Sequence, residues 1–259
     1  MIPLGLAVLS HVLTDFVFQS DIIVENKNEL RLKGLFLHWL TTYIVMIIFL
    51  IPYELSVIVQ FALVVSIIHI LFDILKTIFV RGNPEKRGLF TLIIDQLIHL
   101  ATIVLIIPLF SFNLTDGFLN IARKLSDYSG INLGQLPIER VIITLIVYLY
   151  IVFGGAVFMR KLFDYIYRNN TETVKRTFNA ATNIENVKTG KVIGIFERII
   201  VLTLFVTNNI ASIAFVIAAK SLARFKNLSD KDFAEYYLIG TLASVLLAML
   251  GGLILINFL

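Results

Sequence analysis

Seven stretches of this chain are apolar and long enough to cross a lipid bilayer. They run roughly 2–19, 34–52, 55–79, 88–110, 137–159, 194–219 and 236–258. A bilayer core of about 30 Å takes about 20 apolar residues of helix to span. Within it every backbone N–H and C=O must be paired inside the segment, so continuous apolar runs of this length fold as helices. The runs lack the ten-residue alternation of a membrane β-barrel. The expected fold is therefore an all-α integral membrane protein, a polytopic bundle of about seven transmembrane helices. Composition agrees: 58% of the 259 residues are hydrophobic and 15% charged, against about 45–50% and about 25% in soluble domains. That balance excludes a soluble enzyme, a disordered chain and a nucleic-acid-binding domain, and makes membrane lipid the expected partner. There is no cysteine, which removes disulfides, thiolate metal ligands and a cysteine nucleophile. The first stretch begins without a basic leader or a small-residue cleavage site and reads as a retained span.

Loop charge orients the bundle, because basic residues collect in cytoplasmic loops. On the side reached at the end of the first stretch lie Lys27, Arg31, Lys33, Arg81, Lys86, Arg87, Arg160, Lys161, Arg168, Lys175, Arg176, Lys188 and Lys191, thirteen in all. The other side holds six: Arg123, Lys124, Lys220, Arg224, Lys226 and Lys231. The first side, called the basic side below, is expected to face the cytoplasm of a cell-membrane protein with its N-terminus outside and its C-terminus inside. Thr207-Asn208-Asn209 interrupts the sixth stretch. A broken or re-entrant segment there would leave six spans and return Lys220 and Arg224 to the cytoplasm. The chain divides on these grounds into a four-helix membrane unit, 1–110, and a three-helix extension, 111–259, with a basic loop at 160–192.

The four histidines, His11, His38, His69 and His99, fall one in each of the first four stretches. Three have an aspartate four residues away: His11 with Asp15, His69 with Asp73, and Asp95 with His99. Residues i and i+4 share a helix face, so each pair presents an imidazole and a carboxylate in one direction. At 1.5 Å rise per residue, Asp15, His38, Asp73 and Asp95 lie roughly 5–10 Å below the basic surface, and His11, His69 and His99 about 13–17 Å below it. All seven groups thus fall in one leaflet. A lone intramembrane histidine usually bonds a neighbouring helix; three pairs agreeing in depth point instead to a shared site. Imidazole and carboxylate are ligands of divalent metals, zinc first among them. The candidate ligands are His11, His38, His69, His99, Asp15, Asp73 and Asp95, enough for one or two ions. Asp15, Asp73 and Asp95 are also the candidate catalytic acids and bases. The same residues suit a proton or ion path through the membrane.

Gln19, Lys27, Lys76 and Gln96 lie around the basic-side mouth and are candidates for holding an anionic headgroup. Gln19 continues the face of His11 and Asp15, and Lys76 follows Asp73. A second polar set sits in the C-terminal half: Glu197 and Arg198, which could form an internal ion pair, Lys220 and Arg224 four residues apart, and Glu235. Its expected role is structural. No Walker, dinucleotide or serine-hydrolase motif is present.

The pattern of His11, Asp15-Phe16, Gln19-Ser20-Asp21, Lys27, His38, His69, Asp73, Lys76, Asp95-Gln96 and His99 resembles the prokaryotic membrane family named domain of unknown function 3307 (DUF3307). The likeness covers about the first 110 residues. The remainder, with Ile193-Gly194, Glu197-Arg198, Ala219-Lys220-Ser221 and Glu235-Tyr236-Tyr237, resembles the C-terminal extension of its longer members. The His/Asp layout is also similar to that of membrane metal-dependent hydrolases. The first family's name assigns no activity; the His/Asp chemistry, together with the second likeness, leads to the expectation of a metal-dependent hydrolase acting on a lipid or lipid-linked substrate from the cytoplasmic leaflet. A metal- or proton-coupled transporter is the alternative, and a non-catalytic sensor or assembly factor is the third.

Overall fold

The computed structural model describes residues 1–81, 88–130, 132, 135–167 and 184–258, of which 184–189 by backbone alone. The loop residues Lys86, Arg87, Arg168, Lys175 and Arg176 lie outside the described residues, as does the side chain of Lys188. The described residues are helical apart from their loops and one isolated bridge between Tyr53 and Leu114. The chain forms two compact units, Met1–Ile146 and Val147–Leu259.

The first unit contains α1 (Ile2–Leu13), which continues through a π turn at Thr14–Phe18, then α2 (Asp21–Asn28), α3 (Leu32–Leu50), α4 (Leu55–Arg81), α5 (Leu89–Ile106) and α6 (Asp116–Ser129). Helix α7 (Ile138–Leu149) leads through a second π turn at Tyr150–Gly154 into α8 (Gly155–Ile166). Among the described residues five helices are long and apolar enough to cross a membrane, or six if the bent pair Ile2–Phe18 with Asp21–Asn28 is one span.

Helices α3, α4 and α5 each bury a stripe spaced by three or four residues, the signature of one inward face. In α3 the stripe is Gly34, His38, Thr42, Met46 and Leu50. In α4 it includes Ile58, Phe61, Ala62, Val65, Ser66, His69, Asp73 and Thr77, and in α5 Gln96, His99, Thr102, Ile103 and Ile106. Every stripe is polar toward the basic side and apolar toward the other. The apolar halves meet in a core of Ala7, Met46, Leu50, Ile58, Phe61, Ala62, Ile103 and Ile106. Phe110 and Phe112 close its end, edge-on to Phe61 at 5.5 and 5.2 Å between ring centres. The polar halves meet in the candidate site. Outward positions such as Ile44, Ile48, Leu71, Leu75 and Ile78 are exposed, as expected of a surface solvated by lipid.

Residues 111–136, which lie between the fourth and fifth expected spans, contain a helix. Thr115 caps α6 by accepting from the Phe118 N–H at 3.3 Å, and Gly130 ends it at φ +67°. The helix carries an exposed apolar row, Phe118, Ile121, Leu125 and Tyr128.

The second unit corrects the sixth expected span. Residues 194–219 are not one helix. They belong to α9 (Ile184–Val206) and α10 (Ile210–Ala223), broken at Thr207–Asn209, where Asn208 takes φ +59°. The final helix is α11 (Lys231–Phe258). Helix α11 runs antiparallel to α8: Phe163 stacks on Tyr236 at 4.3 Å, and Ile151 fills the space beside Gly251. It runs parallel to α9, because Phe205 near the end of α9 packs on Gly252 near the end of α11. Helix α10 must therefore return antiparallel to both. The bond from Lys220 Nζ to Glu197 Oε2, 2.7 Å, shows the return directly.

The hairpin brings Lys226 back to the end of the unit that holds Lys161 and leaves Asn257 at the other. Cysteine is absent from the chain, so single-cysteine variants report cleanly. In sealed vesicles Lys161→Cys and Lys226→Cys are expected to react with an impermeant maleimide from the same side, and Asn257→Cys from the opposite side. Lys226→Cys reacting on the side opposite Lys161→Cys, with Asn257→Cys on the side of Lys161→Cys, would restore the single continuous span.

Candidate metal centre

The four histidines and three aspartates converge as their spacing suggested. His11, His38, His69, Asp73 and His99 are almost wholly buried, and the Asp15 and Asp95 side chains are 8% and 9% exposed. The His38 and His69 Nε2 atoms lie 2.9 Å apart. The Asp73 Oδ2 atom is 3.2 Å from the first and 3.6 Å from the second. Asp15 Oδ1 lies 3.4 Å from His69 Nε2 and 3.6 Å from His38 Nε2. On the other flank His99 Nε2 is 3.3 Å from Asp95 Oδ1 and 3.9 Å from Asp73 Oδ1. The rings also pack: His69 stacks on His99 at 4.0 Å, and His11 stands against both at 5.4 and 5.3 Å.

Local backbone explains part of this convergence. Asp15 lies in the π turn of α1, a feature often found at functional sites; the widened turn leaves Asp15 Oδ2 3.9 Å from His11 Nε2. The helix then ends, with Gln19 extended at φ −77°, ψ 95°. Gln19 consequently does not continue the His11–Asp15 face. Its side-chain nitrogen is buried at the corner between α1 and α2 without a hydrogen-bond partner.

Beyond that corner Ser20 caps α2 by accepting from the Ile23 N–H at 3.4 Å, and the chain turns by 94°. The fold places Lys27 inside, not at an open mouth. Its ammonium donates to Asp73 Oδ2 at 2.7 Å, and its side chain is only 7% exposed. Lys76 donates to Asp73 Oδ1 at 2.6 Å and to Asp95 Oδ2 at 2.9 Å. Gln96 donates to Asp15 Oδ2 at 3.2 Å, which makes it a holder of Asp15. Lys27 reaches Asp73 because α2 lies directly on Gly34. A Cβ at Gly34 would stand 2.5 Å from Asn26 Cβ and 2.8 Å from the Lys27 nitrogen.

Several polar atoms in this centre have no hydrogen-bond partner: His11 Nε2, both ring nitrogens of His99, and Asp15 Oδ1. Buried polar atoms left unpaired are costly, so each asks for a ligand, water or proton. Three overlapping groups are close enough to hold a metal ion: His11, Asp15 and His69; His38, His69 and Asp73; and Asp73, Asp95 and His99. The second has the tightest geometry of the three. A tetrahedral ion with bonds of about 2.0–2.1 Å sets its ligand atoms about 3.3 Å apart. The His38, His69 and Asp73 atoms are separated by 2.9, 3.2 and 3.6 Å.

The second polar set resolves differently from its expected Glu197–Arg198 pair. Glu197 pairs with Lys220 of α10. Arg198 donates from Nη2 and Nε to the Val152 carbonyl at 2.7 and 3.3 Å. That carbonyl lies in the second π turn, where the regular helical acceptor pattern is interrupted. Arg224 ends α10, and Glu235 is exposed, 3.9 Å from Lys231.

Fold and site together define a polytopic helical membrane protein with a buried centre of histidine, aspartate and lysine. Residues 4–124 match the family described as protein of unknown function (DUF3307), so this part of the chain resembles that family and contains all seven histidines and aspartates of the centre. No curated protein and no solved structure matches the chain.

Breaking a buried ion pair by removing one partner costs about 3–5 kcal/mol. Asp73→Asn strands Lys27, whereas Asp95→Asn leaves Lys76 on Asp73. Thermal unfolding in detergent is therefore expected to show a larger loss for Asp73→Asn than for Asp95→Asn, partly recovered by adding Lys27→Met. Gly34→Leu is expected to lose about 1–3 kcal/mol by overpacking against α2. A neutral result at Gly34 would mean that α2 does not sit where the structure has it.

Proposed function

We propose that the first bundle binds one divalent metal ion, zinc, and hydrolyses an anionic lipid or lipid-linked substrate at the basic-side leaflet. The observation that carries this reading is the His38–His69–Asp73 triangle, whose edges match one face of a zinc tetrahedron. Three protein ligands with the fourth position open is the pattern of catalytic zinc. Asp15, held by Gln96 and with Oδ1 unpaired, lies beside that open position and suits a general base. His99, Asp95 and Lys76 form the adjoining proton-handling group.

Charge argues for one ion over two. Asp15, Asp73 and Asp95 carry three negative charges and Lys27 and Lys76 two positive ones, leaving one negative charge in a low-dielectric interior. One divalent ion turns that into one positive charge, and two would leave three. A single excess positive charge is offset by a ligand bearing one negative charge, such as a phosphate ester or a carboxylate. Lys76, whose side chain is 26% exposed, would meet that group first, with Lys27 buried behind it on Asp73. The ion would supply Lewis-acid polarisation of the scissile bond.

The α9–α10 hairpin also bears on orientation. Moving Lys220, Arg224, Lys226 and Lys231 to the basic side changes the charge count from thirteen against six to seventeen against two. This supports a cytoplasmic basic side in the cell membrane, with the C-terminus on the outside like the N-terminus, not inside as the continuous span required.

A second reading, a proton-coupled transporter, is favoured by the direct His38–His69 bond and the chain from Lys27 through Asp73 and Lys76 to Asp95. Such a chain is a proton path without any metal. Elemental analysis separates the two. The hydrolase reading expects about one zinc per chain, lost in His69→Ala and in His38→Ala, and a fall of about 10²–10⁴ in headgroup release from anionic lipid micelles in Asp15→Asn. Protein that stays metal-free with zinc supplied, yet drives pH-dependent flux in liposomes, would replace hydrolysis by transport.

A further inference from the structure

The second unit holds a set of buried polar side chains of its own, apart from the histidine centre. Glu197 of α9 is 5% exposed at its side chain, and Lys220 of α10 binds its Oε2 at 2.7 Å. The other carboxylate oxygen, Oε1, is buried and has no partner. Three hydroxyls of α11 are also buried without a partner: Tyr237, Thr241 and Ser244. They fall at i, i+4 and i+7, on one helix face.

Two contacts bring these atoms to one place. Phe205 packs on Gly252. Glu197 precedes Phe205 by eight residues and Ser244 precedes Gly252 by eight, so in parallel helices Glu197 and Ser244 stand at one level. The Lys220 ammonium lies 5.2 Å from the centre of the Tyr237 ring, which ties the third helix to the same spot.

The hydroxyls behave unlike their counterparts elsewhere in the chain. Thr42, Thr77, Thr102, Thr203 and Ser221 each donate to a carbonyl one turn back in their own helix. That bond is the ordinary way a helical hydroxyl satisfies itself in an apolar setting. Thr241 and Ser244, 2% and 5% exposed, forgo it. An unpaired buried hydroxyl is expensive, so two side by side next to an unpaired carboxylate oxygen mark a place built to surround something.

We propose that Glu197, Thr241 and Ser244 together bind a small monovalent metal cation, which competes with the Lys220 ammonium for Glu197. The donors are all hard oxygens, the preference of alkali cations. Glu197 Oε1 accepts only, so an anion has no place there. A single carboxylate already shared with an ammonium does not suit a divalent ion, which gathers more charge around itself. Lys220 stands in the last turn of α10 and is 22% exposed. Its stem is long enough to carry the ammonium out to the interface when a cation takes its place.

The test uses the full chain purified in detergent, with a divalent chelator present so that the histidine centre does not contribute. Unfolding midpoints are compared in sodium, potassium, lithium and choline chlorides at equal ionic strength. At least one alkali cation is expected to raise the midpoint saturably by about 2–4 °C over choline. The rise should vanish in Glu197→Gln and in the doubly substituted Thr241→Val/Ser244→Ala, which keeps the ion pair and serves if Glu197→Gln does not fold. Lys220→Met should reach half-saturation at lower cation concentration. Equal midpoints in all four salts would overturn the proposal, as would a rise that persists in Thr241→Val/Ser244→Ala or a half-saturation unchanged by Lys220→Met.

Discussion

The Asp73 carboxylate is the constraint on which the first unit is built. It lies within a membrane helix with its side chain 2% exposed, and an unpaired charge there would cost several kcal/mol or more. Total stabilities run to only about 5–15 kcal/mol, so compensation is required for folding. Lys76 supplies half of it from the next turn of the same helix. Lys27 supplies the rest from another element, and that need shapes the chain around it. The 94° bend after Gln19, the Ser20 cap and the bare Cα of Gly34 all serve to lay α2 under the bundle with Lys27 pointing in. The same two ammoniums set the charge of the centre and hence the charge of what it can accept.

The second unit meets the same constraint with different means. Arg198 is spent on the carbonyl of Val152 and is accommodated by glycine: a Cβ at Gly155 would come within 3.1 Å of its side chain, and one at Gly194 within 3.2 Å. Glu197 is met by Lys220 only because the chain reverses at Asn208. The broken helix, the buried pair and the free hydroxyls of α11 are thus one arrangement. The break itself is exposed and partly satisfied within the turn, where Asn209 Nδ2 donates to the Thr207 carbonyl at 3.1 Å.

Much of the centre was legible in the sequence because it depends on local periodicity. His11 and Asp15, His69 and Asp73, and Asp95 and His99 are helical neighbours whatever the tertiary fold, and their depth follows from counting residues. What stayed hidden depends on contacts between distant segments. Lys27 read as an interfacial lysine because nothing near it in sequence announces a 94° bend or a partner 46 residues away. Gln96 likewise pairs with Asp15 across the bundle. The π turn at Asp15 has no signature in the apolar run that contains it, which reads as one continuous helix. The amphipathic α6 was passed over because its polar residues read as loop, although Thr115 before Asp116 is an N-cap signal and the apolar residues recur at helical spacing. The break at Thr207–Asn209 was visible; its consequence, a return of the chain, needed the Lys220–Glu197 contact.

The central claim is that the centre is built around one divalent ion held by His38, His69 and Asp73, with two lysines balancing the remaining charge. Anomalous diffraction at the zinc edge from crystals grown with zinc tests this most directly. The expected result is a single peak within bonding distance of the His38 and His69 Nε2 atoms and an Asp73 oxygen, absent in crystals of His69→Ala. Zinc-grown crystals with no peak among these residues, or with the peak elsewhere in the protein, would contradict it.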